Sequence, residues 1–356
     1  MTDIYIIQDD ITRHNWFKNL IEWLKKIEKS NYLWTLNGVD DNKLAALCFF
    51  GKISKILEKY HKFDKKKLLR NINKFKKVSN LYYDNYGIDA RILEGNLALS
   101  VLLENEQTIR PFEIKRLYNN KTSNVFMQPF LWKQPKEIIT HMSHYIFYCH
   151  CLKKNDEITN CFRIINCFKK DNGWYHGDEK KDKERIDVYV YSRVIYCHSI
   201  TNTDIDKKMI EMMLKETYKK IKVLLDIEKS NRNDIFDDSD LYSYLYTLNY
   251  CMEHIEDWKK KVETDDEEVL KIYSKVYNNL IIRRCSDGGF GWYSNQNKKE
   301  YDIKFMKSNI IPEGDYTDEK KLVGNLVHTE NVLKNLSLLT PYLKTQNLKL
   351  TKLKFI

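Results

Sequence analysis

The stretch CSDGGFGWYSNQ, residues 285–296, gathers three glycines and three aromatic residues into one short segment of a 356-residue chain that has only 11 glycines in all. Such a concentration marks a turn with a tight backbone demand. Gly288, Gly289 and Gly291 can take positive φ without the Cβ clash that restricts other residues, and Phe290 and Trp292 can anchor the loop by burying their rings. The segment NNLIIRR runs into this loop and KKLVGNLVHTENVLKNL follows it, both with helical apolar spacing.

Outward from this loop the same spacing recurs. With five prolines and almost no strand-like alternation, the chain reads as all-α. WFKNLIEWLKKI, residues 16–27, sets Phe17, Leu20, Ile21 and Leu24 on one stripe. Helices are expected in six pairs: 12–28 with 40–58, 64–78 with 89–104, a short 111–118 with 136–153, 156–169 with 185–201, 206–228 with 240–257, and 267–284 with 321–340.

The connections within the pairs look alike. NYLWTLNGVDDNKLAALCFF, SNLYYDNYGIDARILEGNLALSVLL, KKDNGWYHGDEKKDKERIDVYVYSRVIY and KSNRNDIFDDSDLYSYLYTLNY each carry aromatics, Gly or Asn, and then Asp near the next helix start. An Asp there caps free amides and complements the helix dipole, which accounts for many of these carboxylates without a catalytic role. The second helix of each pair is less charged than the first, as LEGNLALSVLL against KKLLRNINKFKK shows. A helix apolar nearly all round belongs inside and a half-polar one outside. Six outer and six inner helices in alternation predict a single (α/α)6 toroid domain over residues 1–356, with aromatic, Gly and Asp residues gathered at one mouth.

Composition narrows the function classes. Hydrophobic residues at 42% describe a globular chain; no run reaches the roughly 20 apolar residues of a membrane span, and MTDIYIIQDD lacks the layout of a signal peptide, so a cytoplasmic protein is expected. Eight scattered cysteines without a CxxC pair read as reduced, buried small hydrophobes. The net charge of +10 favours anionic ligands, but the lysines are spread over many helices, as in DKKKLLRNINKFKK, and read as a solvated face. No GxSxG, GxxxxGK[ST] or HExxH occurs, and no nucleic-acid module is visible, so a nucleic-acid partner is not expected.

DGGFGW after NNLIIRR resembles the turn repeated in the α/α-toroid superfamily of squalene and terpene cyclases and protein prenyltransferase β subunits, and the segment from YDIKFMKSNIIPEGDYTDEKK to the last helix is similar to the closing repeat of bacterial cyclase-like proteins. The likeness covers the last fifth of the chain. In place of the Gln that usually precedes DG stands RRCS, and neither DxDD nor DDxxD occurs. The resemblance implies isoprenoid chemistry in an apolar, aromatic-lined cavity, with a small apolar or prenyl-diphosphate ligand. No cofactor is expected beyond the Mg2+ that a diphosphate would bring. The nearest acidic cluster is DIFDDSD, which makes Asp237, Asp238 and Asp240 the candidate catalytic residues, with Phe290 and Trp292 lining the substrate.

DNGWYHGDE, residues 171–179, followed by IDVYVY, looks like a loop of glycan-active (α/α)6 barrels such as unsaturated-uronyl hydrolases. That likeness implies an acid at Asp187 and substrate contacts from Asp171, Trp174 and His176, with Asp178 nearby. His176 sits in a loop, where an imidazole titrates near neutral pH. Two further groups are weighed against packing. THMSHYIFYCHC offers His141, His144, Cys149, His150 and Cys151, but His141 and Cys151 lie too far apart on one helix for a single tetrahedral site, and a packed inner helix is the default. His328 and Glu330 point about 200° apart on a helix, so at most one faces a cavity. Three functions stay open: an isoprenoid-processing cyclase-like enzyme, preferred because DGGFGW and the closing segment are the most specific features; a glycan-active barrel; and a non-catalytic toroid whose basic exterior binds a partner.

Overall fold

The computed structural model describes residues 14–30, 43–76, 98–102, 135–151, 153–170, 173–174, 188–226, 238–281, 283–285, 287–291 and 326–346. These are predominantly helical. In chain order they form α1 (Asn15–Lys29), α2 (Lys43–Ile56), α3 (Lys65–Asn73), α4 (Pro135–Cys151), α5 (Asn155–Asn166), α6 (Val188–Thr201), α7 (Lys207–Asp226), α8 (Asp238–His254), the short α9 (Trp258–Lys261), α10 (Asp266–Ile281) and α11 (Leu326–Thr345). Every expected helix has a counterpart except 111–118, which lies outside the described residues; 89–104 is represented by helical residues 98–102. A two-residue hairpin, β1 (Lys169–Lys170) against β2 (Gly173–Trp174), was not foreseen, being too short for alternation to show. Among the described residues no helix is long and apolar enough to cross a membrane.

One-sided and fully buried helices alternate, as the charge pattern predicts. α1 buries Trp16, Phe17, Leu20, Trp23, Leu24 and Ile27 and leaves its lysines outward, while Ile21 of the expected stripe is only partly covered. α3, α5 and α7 are likewise one-sided. By contrast α2, α6 and α11 are buried around most of their circumference. Such helices draw their stability from tertiary packing, since their mean hydropathy leaves no polar face for water.

Asp side chains cap three of the one-sided helices: Asp64 accepts from the Lys67 amide at 2.8 Å, Asp206 from Met209 at 3.1 Å and Asp265 from Glu268 at 2.8 Å. Each cap is worth about 1 kcal/mol. Three helix ends share another device. Lys153, Asn202 and Glu263 have φ of 57°, 53° and 52°, and the next amide reaches back five residues, from Lys154 to Cys149, Thr203 to His198 and Thr264 to Lys259. This paired turn closes the last carbonyls of a helix and reverses the chain within a few residues.

The chain divides into two compact units. The first comprises Met1–Asp3, Arg110–Asp226 and Ser239–Val269, and the second Ile4–Ile109, Ile227–Asp238 and Leu270–Ile356. In the first, α4 packs on α5 and α6, and α6 on α7. In the second, α2 packs on α3 and α11. Gly51 of α2 sits where a Cβ would come within 2.7 Å of Val101 Cγ1, so the absence of a side chain sets how closely these helices approach.

The glycine-rich loop belongs to the second unit. Gly288 alone of its glycines has positive φ, 108°, and a Cβ there would meet the Asn19 carbonyl oxygen at 2.5 Å and Trp23 Cβ at 3.2 Å. The loop folds on itself through Cys285 N–H to Gly289 O at 2.9 Å, Gly291 N–H to Arg283 O at 2.9 Å and Gly289 N–H to the Asp287 carboxylate at 3.1 Å. It is therefore pressed onto α1 by backbone. Gly288→Ala meets both an unfavourable φ and a backbone clash and is expected to lower stability by about 2–4 kcal/mol, read as a fall in the denaturant midpoint. A loss under about 0.5 kcal/mol would show the loop is not seated on α1.

Candidate functional site

The expected site residues fall in three groups. Asp237, Asp187, Asp171, Asp178, His176 and Trp292 lie outside the described residues. Asp238 and Asp240 occupy the first turn of α8, where carboxylates complement the helix dipole, and Trp174 pairs with Lys169 across the β1–β2 hairpin. Phe290 is fully buried, its ring edge-on to Trp16 at 5.7 Å and its amide donating to Thr329 Oγ1 at 3.1 Å. The structure thus shows the anchoring role for Phe290, and Asp287 spends its carboxylate on its own turn.

A cluster that the sequence reading passed over lies in the first unit. α6 buries Val188, Val190, Tyr191, Val194, Ile195 and Cys197, yet Tyr189, Arg193 and Tyr196 are partly exposed. These three are spaced four and three residues apart, one stripe of the helix. α8 repeats the division: Leu241, Leu245, Leu248 and Cys251 are buried, while Tyr242, Tyr246 and Tyr250 at successive turns are partly exposed. Their rings form a ladder, Tyr242 stacked on Tyr246 at 5.7 Å and Tyr250 on His254 at 4.0 Å. Asp238 occupies the register position one turn ahead of Tyr242. On α4, Thr140, His144 and Phe147 are the corresponding partly exposed residues. These partly exposed aromatic residues recur at helical spacing beside buried ones on each helix, although Tyr244 on α8 and His198 on α6 are partly exposed as well.

Arg193 gives this group its charge. Its guanidinium donates from Nε at 3.1 Å and Nη2 at 2.8 Å to the Tyr189 hydroxyl and lies over the same ring, 5.0 Å from the centroid. Among the described residues no carboxylate is within ion-pair distance of it. Burial acts to lower its pKa, but the Tyr189 phenol, with Tyr242 and Tyr196 in electrostatic reach, outweighs that effect and holds it charged. A guanidinium held by phenols instead of a carboxylate keeps a donor edge for an anion, and the surrounding rings offer faces to apolar or cationic groups. The signal was legible: IDVYVYSRVIY carries the stripe at helical spacing, but its arginine sits inside a run that reads as core.

Several of the cysteines weighed in the sequence are buried. Cys149 and Cys197 are buried thiols that burial pushes up to about 11 and about 12, and Cys161 and Cys251 are pushed higher still. They stay protonated and behave as small hydrophobes. Cys167 departs from the expectation in being exposed. Among the described residues no group of three or more His, Cys, Asp or Glu is arranged to hold a metal ion.

In the second unit, His328 and Glu330 are both buried on α11, at 4% and 2% exposure. Lys334, one turn on, is in ion-pair contact with Glu330 Oε1, and Lys52 of α2 approaches the same oxygen to 3.9 Å. Among the described residues that oxygen accepts no hydrogen bond of ordinary geometry, so charge is what holds the group. No protein-family model matches the chain, and no curated protein or solved structure is significantly similar to it.

Proposed function

We propose that the chain is a terpene cyclase-like protein, an α/α toroid of six helical pairs that binds and processes an isoprenoid diphosphate. The observation that carries this reading is the group of partly exposed Tyr189, Tyr196, Tyr242 and Tyr246 with Arg193 on two largely buried helices. The guanidinium fork pairs with the diphosphate, and the phenol faces hold the apolar chain and stabilise positive charge that develops along it. Asp238, one helical turn before Tyr242 in the sequence of α8, is the carboxylate we propose to take or give a proton. The alternation of one-sided and buried helices, and the DGGFG loop seated on the first helix, are in keeping with the toroid superfamily that the motif resembles.

Farnesyl diphosphate with Mg2+ is the probe, titrated calorimetrically into the full chain. Wild type should bind, Arg193→Ala should bind about 10- to 100-fold more weakly, and Asp238→Asn should bind like wild type but turn over more slowly. Equal affinity of wild type and Arg193→Ala, or no binding by either, rules the reading out. Arg193, with no carboxylate in ion-pair distance among the described residues, also fits an unsaturated uronide, whose carboxylate would take the same fork and whose sugar faces would stack on tyrosine. Binding of an unsaturated uronyl disaccharide, lost in Arg193→Ala and without farnesyl diphosphate binding, selects that glycan-active reading.

A further inference from the structure

α7 carries Lys215, Lys219 and Lys222 at spacings of four and three, which places three ammonium groups on one stripe. Together with Tyr218, Val223 and Val262 they line a pocket of about 350 Å³. Like charges at such spacings repel, so the arrangement is unfavourable for the helix alone. None of these residues belongs to the tyrosine group.

The acidic groups around the pocket are largely committed. Lys222 meets Glu268 Oε1 at 2.5 Å, the other oxygen of Glu268 accepts from Thr264 Oγ1 at 2.7 Å, and that hydroxyl also meets the Tyr218 phenol. The hydrogen bond from Lys222, then that from Thr264, holds the Glu268 carboxyl below its ordinary range. Asp266 is paired with Lys259 at 2.6 Å and Glu211 with Lys261 at 3.2 Å. Lys215 and Lys219, both exposed, have no carboxylate within ion-pair distance among the described residues. Three positive groups against Glu268 leave the pocket a net charge of about +2. Val223 on its rim is 54% exposed, the one large apolar side chain so exposed among the described residues.

We propose that this pocket binds a phosphate dianion, the head group of a phosphorylated small molecule or of an anionic lipid. Lys215 and Lys219 supply the charge-assisted hydrogen bonds, the Lys222–Glu268–Thr264–Tyr218 chain fixes the floor, and Val223 receives apolar substance attached to the phosphate. The site is independent of the isoprenoid reading and survives its failure.

Inorganic phosphate is titrated against the full chain by phosphorus NMR line broadening. Wild type should saturate, and Lys215→Ala/Lys219→Ala should weaken binding on the order of tenfold or more, with the thermal midpoint unchanged because both side chains are exposed. Lys207→Ala/Lys208→Ala, which removes two exposed charges of the same helix outside the pocket, should leave binding as in wild type. Flotation with vesicles of phosphatidylcholine with and without phosphatidic acid identifies the source. Retention on phosphatidic acid that is lost in Lys215→Ala/Lys219→Ala marks a lipid head group, and saturable phosphate binding without flotation marks a soluble ligand. Absence of saturable phosphate binding, or equal weakening by the two double variants, overturns the proposal.

Discussion

Phe290→Ala is expected to lower the free energy of unfolding by about 3–5 kcal/mol, the cost of removing a large side chain from a site that cannot collapse. The ring has no exposed surface and lies edge-on to Trp16, 5.7 Å away, which is in turn edge-on to Phe17 at 5.8 Å. Backbone on both sides of the void is fixed: Gly288 rests against the Asn19 carbonyl, and the Phe290 amide is bonded to Thr329. Neither the loop nor α1 can move in to fill it. Denaturant unfolding measures the loss, and Phe290→Leu should recover about half by retaining apolar volume. A loss below about 1 kcal/mol would mean that Phe290 is not in the core, and would return it to the role of a cavity residue.

Glu330→Ala is expected to cost about 2–4 kcal/mol, because it strands cationic neighbours in a mostly buried place. Lys334 and Lys52 have side-chain exposures of 18% and 20%, so each keeps partial access to water, and the loss falls short of that for fully buried partners. The paired design of the test is Lys52→Met/Glu330→Met/Lys334→Met, which removes all three charges and keeps the volume. That variant should regain most of the stability lost by Glu330→Ala, since apolar packing replaces buried ion pairs at little net cost. If the triple variant is as unstable as the single one, the group contributes through more than charge, and a role in binding becomes the better reading.

The fold was more legible than the site. Helix existence, order and the alternation of half-polar with buried helices were readable because apolar periodicity at 3.6 residues survives any choice of residue in the core. The observed Asp caps, Asp64, Asp206 and Asp265, stand at the first helices of pairs, whereas the Asp residues singled out in the sequence precede the second helices and lie mostly outside the described residues. What escaped is the stripe Tyr189, Arg193 and Tyr196. A residue on a buried helix is core or cavity wall depending on what stands opposite it, and that is a matter of tertiary placement which periodicity does not encode. Phe290 illustrates the converse: a motif aromatic expected to meet substrate instead meets Trp16. Ends fared least well, as with α11, expected over 321–340 and found at Leu326–Thr345 with Pro341 inside the helix.

The loop at 285–291 is seated on α1, and α2 packs against α11 as well as α3, so the first helices of the second unit complete their packing with partners from the far end of the chain. During synthesis Trp16 and Trp23 emerge long before the loop that packs on them. The packing of α1 against this loop is therefore complete only after residue 291 has been synthesised, and until then Trp16 and Trp23 lack that cover. Truncation from either terminus removes half of the same contact, and release of a C-terminally shortened product leaves tryptophan-rich surface open to aggregation.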